Sequence, residues 1–240
     1  MSVLTVQAER PGAGFLEFSR EALAGYAEAL GRAWGVLGVG AGDRVVVYDY
    51  GSSPVAYLAS RAFAPYLERG ASELTGATAL CVDGLADNVG RLAHVLRHFK
   101  PRFLFARAEL APLLLAGPTA MPVEQRTARL VLSADGDTPA RSERVSWEGR
   151  WRGGLSLLAR CDAAAFLAAE CPRCRALRVP EDLYEARITR ALPLRSPHEQ
   201  GRGLLTVRPR FLDLDPLTTE LSVRSPAKGN GCSHADLELA

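Results

Sequence analysis

Strand-like and helix-like segments alternate along the first half of this 240-residue chain, and that alternation narrows the choice of fold more than any other feature. Residues 44–50, 78–82, 102–106 and 128–133 are short apolar runs bounded by turn residues. The first carries three consecutive valines, Val45, Val46 and Val47, and each run reads as a buried strand. Helical periods lie between them. Ser19 is a good N-cap, Glu21 falls in the first turn, and Leu23, Tyr26, Leu30, Ala33, Trp34 and Leu37 recur at helical spacing. Pro54 opens a second helix expected to run through Ala62. Residues 88–100 and 109–115 give two more, the first with Val89, Leu92, Leu96 and Phe99 on one face. The pattern predicts an α/β fold in which residues 18–135 form a mainly parallel sheet flanked by helices. Beyond that it changes. Helical periods fade past Glu170, and short strands at 184–188, 203–207 and 220–223 alternate with Gly- and Pro-rich turns. Residues 136–240 are therefore expected to be mixed α/β grading into a smaller β-rich part. Residues 1–17 have no regular pattern and read as a leader. One continuous domain is expected overall.

Composition removes several functional classes. Hydrophobic residues make up 48% and charged residues 23%, enough apolar side chains for a core and too many for a disordered chain. A net charge of +2 gives no reason to expect a nucleic acid or a membrane surface as partner. The longest uncharged run, residues 110–123, holds three prolines and falls short of the ~20 residues a spanning helix needs. No secretion signal is visible, so a cytoplasmic setting is expected. Of 29 basic residues only Lys100 and Lys228 are lysine, which leaves lysine chemistry two candidates. Five cysteines, an odd number, fit a reduced compartment better than a disulfide framework.

The glycines at 35, 38, 40 and 42 follow a helix and open a strand, the reverse of a dinucleotide-binding turn, so a helix C-cap is the reading. Neither lysine sits in a Walker phosphate loop. His94 and His98 have metal-ligand spacing but lie opposite the apolar face of their helix, and read as solvated. His198 has no supporting context, and Asp213 and Asp215 read as a turn before Pro216. The strongest local signal is Cys171-Pro-Arg-Cys174, with Cys232 and His234 as a second close pair. Three thiolates and an imidazole make a closed tetrahedral set of the kind that holds structural zinc. A redox pair and ordinary loop side chains are the rival readings; a thioredoxin-like pair belongs at a strand-to-helix turn of a βαβ unit, which this is not.

The segments Phe18–Ala27, Leu37–Val45, Tyr48–Pro54, Gly76–Thr78, Leu132–Gly136, Ala168–Cys171, Leu177–Tyr184 and Gly203–Val207, the last ahead of Asp215–Leu217, appear in the order seen in the phenylacetate–CoA ligase branch of the adenylate-forming superfamily, which the chain resembles over roughly residues 18–234. The resemblance implies a partial adenylate-forming N-domain with a zinc-stapled β-rich part, and an acyl or aryl pocket near Tyr50, Gly51 and Ser52. It also exposes departures. The family's Ser/Thr/Gly-rich phosphate loop with its lysine, expected just before the Phe18 segment, is missing. The metal carboxylate position is Ala163, its threonine neighbour is Asp162, and the ribose aspartate falls near 222–224. The adenylation lysine of the C-terminal domain is also absent from the sequence. Stabilising charge on a phosphate in flight takes positioned cations and donors, so adenylation is not expected. The implied function is a degenerate, non-adenylating accessory protein of a biosynthetic pathway that binds an acyl or aryl molecule, a carrier-bound acyl chain or a partner enzyme. A second copy or that partner would cover packing surface lost with the missing parts. The alternatives are acyl transfer at Cys161 and Asp162, or a divergent aryl-acid CoA ligase.

Overall fold

The structure is a computed structural model that describes residues 2, 4–10, 13–115, 121–136, 139, 141–189, 202–224 and 237–239. The chain opens with strands β1 (Leu4–Arg10) and β2 (Ala13–Phe18), followed by helix α1 (Arg20–Leu37). Next come β3 (Arg44–Asp49), α2 (Pro54–Tyr57), α3 (Ala71–Thr75), β4 (Thr78–Asp83), α4 (Val89–Phe99), β5 (Phe103–Arg107), α5 (Ala111–Leu115) and β6 (Arg129–Asp135). The remainder is α6 (Arg141–Glu148), β7 (Leu155–Cys161), β8 (Phe166–Glu170), β9 (Ala176–Arg178), β10 (Tyr184–Thr189), β11 (Arg202–Pro209), β12 (Leu217–Arg224) and β13 (Leu237–Leu239).

Eleven of these strands form one sheet, in the order β10-β11-β12-β13-β9-β8-β7-β6-β5-β3-β4. From β7 to β4 every pairing is parallel, and from β7 to β10 every pairing is antiparallel. The expected parallel region is therefore present, and the β-rich part continues the same sheet rather than standing apart from it. Both faces of the parallel strands are covered. Val45, Val47, Phe103, Phe105 and Val131 pack in the cluster that contains α1, while Val46, Tyr48, Leu104, Leu130 and Leu132 pack in the cluster that contains α4 and α5. Period-two side chains on a sheet buried on both sides account for the continuous apolar runs in the sequence.

Local signals hold where the sequence places them. The Ser19 hydroxyl accepts a hydrogen bond from Ala22 N at 3.2 Å, and α1 ends at Gly38 in the left-handed region, φ 89°. The glycine cluster is thus a helix C-cap and turn. Two expectations change. Residues 4–10 and 13–18 pair as the antiparallel strands β1 and β2 where no regular pattern is expected. The buried Leu16 and Phe18 join the α1 core, with Phe18 stacked on Tyr26 at 5.7 Å, so tertiary packing supplies what local pattern does not. Helix α2 stops at Tyr57 and does not reach Ala62. The chain instead loops out between Leu58 and Gly70, and its two ends are tied by Ala71 N to Leu58 O and Ser72 N to Ala59 O, both 2.8 Å. Gly70 allows that closure: a Cβ there would stand 2.6 Å from the Ser60 Cα. Among the described residues no helix is long and apolar enough to cross a membrane.

Candidate functional site

Five parallel strands end on one edge of the sheet, the edge where open α/β sheets hold their ligands. Here that edge carries charge. Asp49 ends β3, Arg107 ends β5, Asp135 ends β6, and Arg160 lies next to last in β7, paired across the ladder with Asp135. Asp49 is buried, with Oδ1 accepting from Tyr50 N at 2.7 Å and Oδ2 from Ser53 Oγ at 2.8 Å. The buried Arg160 guanidinium donates from Nη1 to Ser53 Oγ at 2.5 Å. The same nitrogen stands 3.5 Å from Asp162 Oδ2 and 3.8 Å from Asp49 Oδ2. Asp162 N in turn donates to Asp135 Oδ1 at 3.1 Å.

Burial raises the Asp49 carboxyl above its ordinary range, outweighing the pull of Arg160. It pushes Asp162 up further, to about 7, with Asp135 and Asp49 adding to the shift against Arg160. Desolvation works against the charged Arg160, yet the three surrounding carboxylates raise its pKa and keep it cationic. Several buried polar atoms here have no protein partner: Tyr26 Oη, Ser133 Oγ, Arg160 Nε and Asp162 Oδ1. Buried polar atoms are normally satisfied, so these mark a place suited to polar company from outside the chain.

Beside this edge lies a half-open cavity of about 280 Å³. Gly51, Ser52 and Tyr57 come from the turn after β3 and from α2, and Phe63, Ala64, Pro65 and Tyr66 from the loop that follows. Leu23 of α1 and Leu4 and Thr5 of β1 close it. Tyr57 links cavity and edge, since its hydroxyl feels the charges of Asp162 and Arg160. Glu73 holds the loop in shape, accepting from Ser60 Oγ at 2.6 Å, Gly70 N at 2.7 Å and Arg61 N at 3.1 Å. Burial pushes the Glu73 carboxyl up, but these hydrogen bonds together hold it below its ordinary 4.5.

The sequence-derived candidates separate on this frame. Gly51 and Ser52 line the cavity. Tyr50 does not; it is 40% exposed and lies under the Arg107 guanidinium, 4.2 Å from the ring centroid. Cys161 is buried, and burial pushes its thiol up to about 11, the opposite of an activated thiolate. His94 and His98 are exposed side by side on α4, as expected. Cys171 and Cys174 occupy the turn between β8 and β9, closed by Arg175 N to Cys171 O at 2.8 Å and Cys171 N to Ala176 O at 2.7 Å. Cys232 and His234 lie outside the described residues, so the proposed fourfold set is only half in view. Among the described residues no group of three or more His, Cys, Asp and Glu side chains is placed to hold a metal ion.

Sequence reading missed Asp49, Ser53, Arg160 and the cavity aromatics. A signal was available for two of them: Asp49 and Arg160 are charges at the ends of otherwise apolar strands, where burial is costly without a partner. Nothing local marks Tyr57, Phe63 or Tyr66, which converge only through the loop.

No family model and no curated protein matches this sequence. Solved structures do share its fold, CoA ligases among them. An open conformation of 2-hydroxyisobutyryl-CoA ligase, in complex with 2-HIB-AMP and CoA, superposes with a TM-score of 0.71 at 15% identity, over 99% of this chain and 52% of that one. The anthranilate CoA ligase AuaEII with anthranoyl-AMP gives 0.62 at 12% identity, over 98% of this chain and 46% of that one. The Klebsiella oxytoca NpsA N-terminal subdomain with 3-hydroxyanthranilyl-AMSN gives 0.60 at 14%, over 99% and 61%. The likeness is one of fold, and this chain spans about half the length of the CoA ligases it matches.

Proposed function

We propose that this chain is a ligase-fold protein, akin to the phenylacetate–CoA ligase branch, that binds an acyl or aryl group in the 280 Å³ cavity without adenylating it. The observation that carries the reading is the β1–β2 hairpin. It stands immediately before the Phe18 segment, where the resemblance places a phosphate loop, and its strands pair from Leu4↔Phe18 to Arg10↔Ala13. Only Pro11 and Gly12 join them. Residues 4–18 hold no lysine and a single hydroxyl side chain, Thr5, where the resemblance calls for a Ser/Thr/Gly-rich loop ending in lysine. Ala163 at the metal carboxylate position points the same way, as does the excess of carboxylates around Arg160. The protein would serve a biosynthetic pathway in the cytoplasm, receiving its acyl group from a carrier or a partner enzyme, or acting as a pair of copies.

Structural zinc belongs to the same reading. Cys171 and Cys174 sit on a tight turn, and β13 pairs with β9 directly beyond it, Leu237↔Leu177, which returns the chain to this neighbourhood within five residues of Cys232. Cys232 and His234 would complete a closed set that ties the chain back onto β8 and β9, with thiolate ligation making stability sensitive to acid and chelators.

The deciding experiment is acid-dependent pyrophosphate exchange with ATP and Mg²⁺ across a panel of aryl and fatty acids. No exchange above the enzyme-free blank is expected; exchange with any acid would make this a divergent ligase. Elemental analysis of untagged protein decides the zinc: one equivalent is expected, lost in Cys171→Ser.

A further inference from the structure

Resting on the cavity assignment above, we infer that the group bound there is uncharged at its polar end, a thioester, ester or amide of an aryl or short acyl group rather than a free carboxylic acid. The cavity wall is built from Leu4, Leu23, Phe63, Ala64, Pro65 and Tyr66, with hydroxyls from Thr5, Ser52 and Tyr57. Among the described residues no lysine, arginine or histidine lines it. A carboxylate entering such a space needs a counter-charge, because an unpaired ion out of water costs several kcal/mol.

The nearby cations already have carboxylate partners, although the buried Arg160 Nε has none. Arg160 Nη1 serves Ser53, Asp162 and Asp49, and Arg107 donates from Nε to Glu109 at 2.7 Å while lying over Tyr50. Asp49, Asp135 and Asp162 outnumber the one buried guanidinium, so the field at the Tyr57 end of the cavity is unfavourable to an anion. A neutral carbonyl meets no such penalty. Residues that carry hydroxyls stand close by: Ser52 and Tyr57 are part of the wall, and Tyr26, whose hydroxyl has no partner, is one turn along α1 from Leu23. Size sets the other limit. A dry cavity of about 150 Å³ holds a benzene ring, so 280 Å³ takes one ring or a short chain with its carbonyl and leaves a carrier or CoA portion outside.

The test is a matched series measured by equilibrium titration at pH 8: benzamide, S-benzoyl-N-acetylcysteamine and benzoate, with hexanamide and hexanoate beside them. The neutral member of at least one series is expected to bind saturably and at least tenfold more tightly than its carboxylate. Gly51→Leu is the control for place. Gly51 is exposed on the cavity wall and a Cβ there meets no atom within 4 Å, so this variant should fold normally, and the bulk it adds beside the cavity is expected to abolish binding. A carboxylate that binds as tightly as its amide or thioester overturns the inference and leaves the cavity reading standing. Binding that survives in folded Gly51→Leu overturns it too, because the ligand then lies elsewhere. If no member of either series binds the unmodified protein, the cavity reading itself falls, and the inference with it.

Discussion

The two halves of the sheet answer to different sequence rules. In β3, β5, β6 and β7 almost every residue is buried, because α1 covers one face and α4 and α5 the other. In β11 and β12 burial alternates: Leu205, Val207, Leu221 and Val223 are inside, while Thr206, Thr218 and Ser222 are not. Thr189, Thr206 and Thr218 form a hydroxyl ladder across the outer face, at 2.6 and 2.9 Å. A parallel strand covered on both sides has no polar face to give away, so a polar residue inside one has a specific reason to be there. Arg160 in β7 and Asp49 in β3 are such residues, whereas the threonines of β11 and β12 need no reason beyond solvent.

Breaking the Arg160 cluster tests that contrast most severely. Arg160→Ala removes the cation from a buried pair and strands Asp49, and a loss of about 3–5 kcal/mol is expected in urea unfolding. A loss below about 1 kcal/mol would place the pair in solvent and undo the distinction between the halves. Next come paired truncations. In β7, Leu157→Ala and Leu158→Ala should each cost about 2–5 kcal/mol, since these neighbours are buried on opposite faces. In β11, Leu205→Ala should cost as much and its neighbour Thr206→Ala less than about 1 kcal/mol.

A smaller effect concerns pH. Asp162 is held near 7 in the folded protein against an ordinary 3.8, so folding favours its protonated form. The stability it contributes is complete below about 4 and is lost as pH rises towards 7. Asp162→Asn should flatten that slope and be at least as stable as the unmodified protein at pH 8, read from urea midpoints at half-unit pH steps. Smallest is Glu73→Gln, expected to cost about 1 kcal/mol because its hydrogen bonds are partly exposed. Its sign is opposite: the Glu73 contribution is present above 4.5 and fades as pH falls through the lowered folded value. The same variant should loosen the loop that carries Phe63 and Tyr66 and weaken ligand binding.

Much of the parallel half was legible in the sequence. The strands at 44, 78, 102 and 128, the α1 cap at Ser19, the Gly38 stop and the helix at 88–100 all appear within a few residues of their expected bounds. In each case the signal is a period or a cap, contained within a dozen neighbouring residues. Of the three residues that the resemblance marks for an acyl or aryl pocket, Gly51 and Ser52 line the candidate cavity. Tyr50, marked on the same ground, lies beside that cavity's lining residues in sequence and under Arg107 in space.

What the sequence determined by itself is therefore the alternation of the main helices and strands between Ser19 and residue 135, without the β1–β2 hairpin or the short α3, because helix and strand periods are local properties of the chain. Tertiary structure alone decided the rest. Strand β13 enters between β12 and β9, which joins two distant stretches that carry no mutual mark in sequence. Asp49, Ser53 and Arg160 meet across more than a hundred residues because the four parallel strands β3, β5, β6 and β7 end on one edge. Leu4, Leu23 and Tyr66 share one cavity because the hairpin, α1 and the loop closed by Gly70 pack together. Such meetings depend on strand register and loop closure, and neither is written in any window short enough to show a period.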